Sequence, residues 1–407
     1  MERAYAKIIV NEKAERGLRR GHPWVYGAEV MEREGAYETG DVVDVYSKKR
    51  RWLGAGFIND HSKILVRLIS QNANDSFDAA FFRRRLAHAV DYRIAVMGDD
   101  FEACRLIFGE ADFFPGWTVD RYGDILVSEV LSFGVDRRRE LLYGLLLEVL
   151  AERGVMIRAI YERNEAALRD KEGLPKYKGF VELPDLATDL DGHVEICENG
   201  IYYDVDYING QKTGFFLDQK YNRRAAARLA PGRRVLDCCT HTGAFALNAA
   251  KSGAASVTAV DVSADALALA RRNAIRNGLE DKIDFVCAGV FDLLTRLTAE
   301  KCHDYDYIIL DPPAFTKSGA TLGAAYRGYK EINLKAMRLL PRGGFLATCS
   351  CSHFMTDDLF REMLREAAAD AGVRLRQIEG RQQGPDHPIL WGVPETGYLK
   401  FYLLQIT

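Results

Sequence analysis

From residue 191 to the end of the sequence, short apolar runs alternate with helix-like segments, and this repeat constrains the fold more than any other feature. The apolar runs are residues 234–237, 256–261, 283–287, 305–310, 344–349 and 399–405. Repeated strand–helix units fold into a mostly parallel sheet with right-handed crossovers. Ligands of such sheets bind beyond the carboxyl ends of the strands. We therefore expect the functional residues directly after these runs.

Two segments of different character precede this α/β region. Residues 1–72 alternate apolar and polar positions, which predicts a small β unit with strands at 6–10, 40–46, 52–58 and 63–69. Residues 73–190 mix helices at 77–97 and 138–153 with a strand at 125–130 and an exposed loop at 171–178. We predict three domains: residues 1–72, 73–190 and 191–407.

Composition limits the functions that the chain can have. The net charge of −3 is not that of a nonspecific nucleic-acid binder, so any contact with RNA must come from local patches. The eight cysteines are scattered, which favours reduced thiols in the cytoplasm, and their spacing predicts no zinc site. We also expect no secretion signal and no membrane span.

The turn after the first strand of the α/β region predicts a cofactor site. Gly243 in this turn would let the backbone approach a ligand closely. The turn is neither Gly-x-Gly-x-x-Gly nor a P-loop, which disfavours a nicotinamide dinucleotide or a phosphate cradle. Asp237 could instead bind a charged amine. Asp261 ends the next strand and could accept both ribose hydroxyls, although an ordinary strand-end cap is the alternative.

Two later motifs predict the reaction. Asp311-Pro312-Pro313-Ala314-Phe315 follows a strand, and its prolines fix the backbone and remove two N–H donors. Cys351 lies just past the end of another strand, with Cys349 deeper on the same side. We interpret Cys349 as a packing residue and Cys351 as a nucleophile. The alternative is that both are buried apolar residues.

A thiolate that adds to C6 of cytosine makes C5 nucleophilic, which explains why a cysteine would be needed. Asp311 would then bind N3 of the ring. We expect Pro312, Pro313 and Phe315 to contact the base. Because Asp-Pro-Pro followed by an aromatic also serves enzymes that methylate exocyclic nitrogens, the motif alone does not choose the atom.

Basic residues in the β unit are the predicted RNA contacts, with one aromatic neighbour. They are Arg19, Arg20, Lys48, Lys49 and Arg50, together with Trp24. A solvated charged face is the alternative for these clusters, and the sequence does not decide between the two.

The motifs together resemble a known family. The turn at 237–245 and Asp261 resemble motifs I and II of class I S-adenosylmethionine methyltransferases. Residues 348–355 (Thr-Cys-Ser-Cys-Ser-His-Phe-Met) resemble motif VI of the RlmI family, bacterial methyltransferases that form 5-methylcytosine in large-subunit rRNA. His22-Pro23-Trp24 and the segment at 105–116 also resemble that family, so the likeness runs over nearly the whole chain.

The resemblance implies a fold, a cofactor and a substrate. The fold is α/β, with a Rossmann-like class I methyltransferase domain, an N-terminal PUA-like β-barrel and a central α+β domain. The implied cofactor is S-adenosylmethionine, and the implied substrate is 23S rRNA. Residues 212–220 resemble a segment that covers the cofactor in bacterial rRNA cytosine methyltransferases, which suggests roles for Phe216 and Asp218. The remaining predicted cofactor contacts are Asp237, Thr240, Gly243, Phe245, Asp261, Asp292 and Asp311.

Two positions depart from related enzymes. Gly289 stands where an acid often binds the adenine amino group, so Asp292, the backbone or packing must take that role. Ala314 stands where a related class of RNA cytosine methyltransferases carries a second cysteine, so another base must release the product.

Two other functions stay open at this point. One is methylation of an exocyclic amino nitrogen of guanine or adenine, and the other is a noncatalytic RNA-binding protein with a vestigial methyltransferase fold. The sequence also leaves the oligomeric state open, a homodimer included.

Overall fold

A computed structural model of the chain describes residues 4–316 and 318–407, and its contacts divide them into two compact units. The first unit combines the chain up to Ile196 with Val205–Leu217 and Pro385–Thr396. The second unit comprises Cys197–Asp204, Asp218–Gly384 and Gly397–Thr407. The three domain boundaries expected from the sequence stay predictions.

The first unit begins with a six-stranded sheet. Its strands are β1 (Lys7–Val10), β2 (Trp24–Tyr26), β3 (Val30–Glu34), β4 (Val42–Ser47), β5 (Trp52–Ile58) and β6 (Ile64–Ser70), in the order β2-β6-β5-β4-β1-β3. Helix α1 (Glu12–Arg19) starts at Asn11, whose side chain accepts two backbone N–H bonds. Alternating apolar side chains such as Ile8, Val43 and Val45 form the core, as period-two patterning predicts.

A second sheet follows in the same unit. Its strands are β7 (Ala103–Phe108), β8 (Trp117–Tyr122), β9 (Ile125–Val130), β10 (Ala159–Asn164) and β11 (Tyr177–Phe180), adjacent in sequence order. Its helices are α2 (Ala79–Met97), α3 (Phe133–Asp136), α4 (Arg139–Ala151) and α5 (Leu168–Lys171). The exposed loop expected at 171–178 is wrong in two respects: Glu172 and Leu174 are buried, and Tyr177 already pairs with β10 and donates a 3.0 Å hydrogen bond to Glu162.

Two residues of the segment 105–116 form ion pairs inside the first unit. Arg93, which is fully buried, binds both carboxylate oxygens of Asp112, and Arg105 binds both oxygens of Asp120. Removing one partner of such a pair leaves a buried charge uncompensated, which costs about 3–5 kcal/mol. Substitution of one partner alone should therefore destabilise the first unit.

The second unit contains a seven-stranded sheet. A separate two-stranded sheet, β12 (His193–Glu198) and β13 (Ile201–Asp206), precedes it in the chain. The seven strands are β14 (Arg234–Cys238), β15 (Ser256–Asp261), β16 (Ile283–Cys287), β17 (Tyr307–Leu310), β18 (Phe345–Ser350), β19 (Leu375–Arg381) and β20 (Lys400–Ile406). Their order is β16-β15-β14-β17-β18-β20-β19, with β20 antiparallel to both of its neighbours.

Six helices of the described residues precede or connect the strands of this sheet. They are α6 (Lys220–Ala227), α7 (Ala244–Lys251), α8 (Ala264–Arg276), α9 (Val290–Ala299), α10 (Leu322–Leu339) and α11 (Asp357–Ala371). Buried residues of α10 and α11, including Tyr329, Met337 and Phe360, pack in one core with strand residues such as Leu236 and Leu346. The α/β fold expected from the repeat is confirmed. None of the helices in the described ranges is long and apolar enough to cross a membrane.

Candidate active site

Strand register brings the predicted functional residues to one edge of the seven-stranded sheet. Cys238 pairs with Val260 on one side and with Leu310 on the other, and Leu310 pairs with Thr348. The next residues of these strands therefore lie side by side at the carboxyl ends. This edge is where ligands of parallel sheets bind.

Asp237 is buried and only partly hydrogen-bonded. Its Oδ2 accepts a 2.5 Å bond from the Thr240 hydroxyl, whereas Oδ1 has no hydrogen-bond partner among the described residues. Burial raises the pKa of Asp237 to about 7. An acceptor without a donor at such a site is costly, and the cationic amine of a ligand would supply both a donor and a charge.

The turn that follows Asp237 has an unusual backbone. Cys239 and His241 have φ of 64° and 52°, a left-handed conformation that costs a non-glycine residue about 1–2 kcal/mol. Gly243 has φ of 84°, and a Cβ at this position would approach Ala270 of α8 at 3.1 Å. Close packing against α8 thus explains the glycine at position 243, in addition to the expected approach of a ligand.

Asp261 is fixed by the same turn. Its Oδ2 accepts from the backbone N–H of His241 at 2.9 Å, and its Oδ1 accepts from that of Ser263 at 3.0 Å. Each carboxylate oxygen keeps a further lone pair. The side chain is half-buried, so it can still accept ligand hydroxyls.

The other predicted cofactor residues have diverse surroundings. Buried Asp218 accepts a 2.6 Å bond from the Tyr398 hydroxyl. The Phe245 ring is buried and stacks on Phe401, with 6.2 Å between centroids. Phe216 belongs to the first unit, where Lys212 Nζ lies 4.4 Å from its ring centroid. Asp292 is exposed.

Gly289 and Asp292 lie close together, which bears on the missing acid. A Cβ at Gly289 would lie 3.3 Å from Asp292 Oδ2. The carboxylate of Asp292 therefore occupies the space beside Gly289. Val262, which follows Asp261, is 71% exposed, an unusual exposure for an apolar residue at the end of a buried strand.

A chain of hydrogen bonds leads from Arg381 to Asp311. Its Oδ1 accepts from Gln219 Nε2 at 3.0 Å, and Gln219 Oε1 accepts from Asn222 Nδ2 at 2.7 Å. Asn222 Oδ1 accepts in turn from Arg381 Nε at 3.0 Å. Because each amide is fixed by its neighbour, Gln219 presents an N–H to Asp311. No motif in the sequence indicates roles for Gln219, Asn222 and Arg381.

The two cysteines differ in exposure and surroundings. Cys349 is fully buried, and its thiol lies close to the side chains of Gln219 and Asp311. Burial, with the nearby Asp311 charge, raises the pKa of Cys349 well above its usual range. Cys351 is half-buried and directly follows β18. The expected burial of Cys349 is confirmed, and its role as a packing residue stays a prediction.

The residues after Asp311 are apolar and differ in their exposure to solvent. Pro312 is buried and Pro313 is exposed. The half-buried Phe315 ring lies 4.4 Å from the Tyr329 ring and 5.7 Å from the Phe291 ring, measured between centroids. This aromatic group could support a flat ligand.

The predicted RNA contacts lie in the first unit, and several are already paired. Arg50 binds Glu32 and Glu34, and Arg19 binds Glu15 one helical turn away. Trp24 Nε1 donates a 3.0 Å bond to Glu110. Arg20, Lys48 and Lys49 are exposed, and no ion pair is recorded for them in the part of the chain that the structure describes.

Sequence profiles of two domain families match the chain. A PUA-like domain matches residues 8–71, and an S-adenosylmethionine-dependent methyltransferase matches residues 184–397. The chain is 40% identical to the ribosomal RNA large subunit methyltransferase I of Pseudoalteromonas atlantica over 98% of this chain and 99% of that protein. The protein of the same name from Shewanella amazonensis is 43% identical, with the same coverage of both chains.

Solved structures share the fold at lower identity. A candidate SAM-dependent methyltransferase from Streptococcus mutans is 23% identical and has a TM-score of 0.80, covering 98% of this chain and 99% of its own. A second structure, a candidate methyltransferase complexed with SAH, is also 23% identical, with a TM-score of 0.81 and the same coverage. At this identity the likeness concerns the fold.

Proposed function

The chain belongs to the ribosomal RNA large subunit methyltransferase I family, and on this premise we propose that it methylates C5 of a cytosine in 23S rRNA. Its cofactor is S-adenosylmethionine, as for the methyltransferase family whose profile matches residues 184–397. The proposed RNA substrate and cytosine chemistry go beyond that membership and rest on the residues below.

Three acids support the placement of the cofactor. Asp237 would bind the cationic amine through its Oδ1, and Asp261 would accept the ribose hydroxyls. Asp292 would take the adenine amino group from the space beside Gly289, with exposed Val262 covering the ring. When bound, S-adenosylmethionine supplies a methyl group on a sulfonium that reacts with carbon nucleophiles.

Cys351 carries the proposal, because a half-buried thiol directly after β18 can reach a base at this edge of the sheet. Its thiolate would attack C6 of the cytosine and form a carbon–sulfur bond, and the π electrons of the C5–C6 bond would make C5 nucleophilic. After C5 is methylated, a base would remove the C5 proton. The carbon–sulfur bond would then break and release the Cys351 thiolate.

Asp311 would position the base for this attack. Gln219 donates to one oxygen of the Asp311 carboxyl and so fixes the group that would hydrogen-bond N3 of the cytosine. Negative charge that develops in the ring needs a proton or a donor at N3, and a protonated Asp311 would provide one. Phe315, supported by Tyr329, could stack on a base that has been flipped out of its helix.

The exposed basic residues of the first unit would hold the RNA backbone. Lys48, Lys49 and Arg20 are the best candidates, because Arg19 and Arg50 already have acidic partners. Phosphate contacts of this kind give affinity and register rather than sequence specificity. An enzyme of ribosomal RNA is expected to work in the cytoplasm, in agreement with eight cysteines that are all free thiols.

Bisulfite sequencing of rRNA tests the proposal. Cells that lack this protein should lose methylation at one cytosine of 23S rRNA. Wild-type protein should restore the methylation, whereas Cys351→Ala should not. Cys197→Ala is the control and should restore it too, because Cys197 is exposed and far from Cys351 in the sequence. If no cytosine loses its mark, the assignment is wrong.

Two other outcomes would identify the alternatives. If Cys351→Ala methylates RNA at the normal rate, the covalent mechanism fails, and an exocyclic nitrogen becomes the better target because Asp311-Pro312-Pro313-Ala314-Phe315 suits that chemistry too. If calorimetric titration detects no S-adenosylmethionine binding, the chain is a noncatalytic RNA-binding protein.

A further inference from the structure

Lys400 is a buried charge next to the predicted nucleophile. It is the first residue of β20, it is only 7% exposed, and it pairs with Ser350, the residue before Cys351. Lysine is rarely buried unless its charge has partners. The place of Lys400 in a mostly apolar strand therefore calls for a reason.

Two carbonyl groups fix the ammonium beside the turn that carries Cys351. Lys400 Nζ donates to the carbonyl oxygen of Ser352 at 2.6 Å and to that of Tyr398 at 2.7 Å. Ser352 is itself buried, with its hydroxyl 3.0 Å from that of Tyr329. The positive charge thus lies against the residue that follows Cys351.

The ionisable groups that face Lys400 are Cys351 and Asp357, and the Tyr402 hydroxyl donates a 2.5 Å bond to Asp357. Burial lowers the pKa of Lys400 to about 8, while the charges of Cys351 and Asp357 act in the opposite direction. Lys400 is therefore mostly protonated at pH 7. Because Asp357 is exposed, water screens its charge more than that of the half-buried thiol.

We propose that Lys400 is a positioning residue that holds Cys351 in its thiolate form, ready to attack the substrate base. This inference rests on the proposed role of Cys351 as nucleophile. Electrostatic coupling is reciprocal, so a thiolate that favours the ammonium is favoured by it to the same degree. The thiol proton leaves to water, and the ammonium keeps its own three protons.

Alkylation of Cys351 at different pH values tests the proposal. The rate of carboxamidomethylation by iodoacetamide follows the thiolate, and tandem mass spectrometry separates Cys351 from Cys349 and the other cysteines. Lys400→Met removes the charge and keeps most of the volume, whereas Lys400→Arg keeps the charge. Lys330→Met is the matched control, because Lys330 pairs with Glu366 and Asp370 on the surface.

The account expects the Cys351 profile of Lys400→Met to shift by about one pH unit or more to higher pH, so that alkylation at pH 7 slows about tenfold. Lys400→Arg and Lys330→Met should keep the wild-type profile. A Lys400→Met protein that melts cooperatively and alkylates Cys351 with the wild-type profile would overturn the proposal.

A second measurement leaves Lys400 in place, in case its substitution prevents folding. The Lys400 Nζ resonance can be titrated by nitrogen-15 NMR in wild type and in Cys351→Ala. Its midpoint should fall in the variant, because the thiolate that favours the ammonium is gone, and an unchanged midpoint would contradict the coupling. Neither measurement depends on methylation activity. The role of Lys400 can therefore be disproved while the proposed function holds, and the proposed function can be disproved while the Lys400–Cys351 coupling holds.

Discussion

Replacing Asp237 with asparagine should weaken cofactor binding and stabilise the ligand-free protein at the same time. Burial raises the pKa of this carboxyl from 3.8 to about 7. This difference of about 3 pKa units corresponds to about 4 kcal/mol, because each unit is worth about 1.4 kcal/mol. That is the upper limit of what it costs to keep Asp237 ionised in the free protein above pH 7.

Asparagine has nearly the same shape but no charge. Its amide oxygen can still accept from the Thr240 hydroxyl, so its NH₂ group would face the cofactor amine, where two donors meet. Loss of a charge-assisted hydrogen bond should cost about 3 kcal/mol, which weakens the Kd for S-adenosylmethionine roughly 100-fold. The ligand-free variant should melt several degrees higher than wild type at pH 8, because the cost of the buried charge is gone.

The pH dependence of binding follows from the same carboxyl. The amine binds the ionised form, so the complex has a lower Asp237 pKa than the free protein, and binding releases a proton. The affinity of wild type should therefore rise up to tenfold per pH unit between pH 5.5 and 7 and then level off. In Asp237→Asn this dependence should disappear.

Isothermal titration calorimetry and thermal melting at several pH values measure these effects. Asp284→Asn is the matched control, since Asp284 is exposed on β16, two strands away from β14, and it should change neither quantity. The reasoning is refuted if Asp237→Asn binds S-adenosylmethionine within about threefold of wild type, or if wild-type affinity is flat over this pH range.

Three further variants test other parts of the site. Gln219→Leu removes the N–H that fixes Asp311 and should lower kcat of RNA methylation at least tenfold, with little change in cofactor Kd. An unchanged kcat would exclude a role for the hydrogen bonds that lead from Arg381 to Asp311. Asp292→Ala should weaken calorimetrically measured binding of S-adenosylmethionine about tenfold but not that of its inosine analogue, which lacks the adenine amino group; equal losses would place Asp292 elsewhere. Lys48→Ala combined with Lys49→Ala should reduce the salt dependence of rRNA-fragment binding by about two units, measured by fluorescence anisotropy. The Arg50→Ala control, whose charge is already paired with Glu32 and Glu34, should change the slope less, and equal slopes for the two variants would contradict the assignment.

The sequence predicts the α/β unit well because local patterning determines most of it. β15 (Ser256–Asp261) and β16 (Ile283–Cys287) have the expected bounds, since each is an apolar run between polar turns. β19 (Leu375–Arg381) escaped prediction because its residues are mostly polar and half-buried or exposed, so that only pairing with β20 makes it a strand. Its presence depends on tertiary structure rather than on a local pattern.

The candidate site was predictable where a motif follows a strand, and not where contacts join distant segments. Asp237 and Asp261 lie at the carboxyl ends of β14 and β15, and Asp311 and Cys351 directly follow β17 and β18. Asn222 and Arg381, in contrast, meet across 159 residues of sequence, and no local pattern indicates such a contact. Lys400 had one usable signal, a lysine at the start of an apolar strand, and the two carbonyl acceptors that hold it are visible only in the structure.

The central claim is that Cys351 attacks the cytosine. An rRNA fragment whose target cytosine carries fluorine at C5 tests this directly, because the fluorine replaces the proton that must leave and traps the covalent adduct. The account predicts that, in the presence of S-adenosylmethionine, mass spectrometry finds the methylated nucleotide attached to Cys351, with no adduct in Cys351→Ala and a retained adduct in the Cys197→Ala control. An adduct on Cys349, or methylation of unmodified RNA by Cys351→Ala at the wild-type rate, would contradict it.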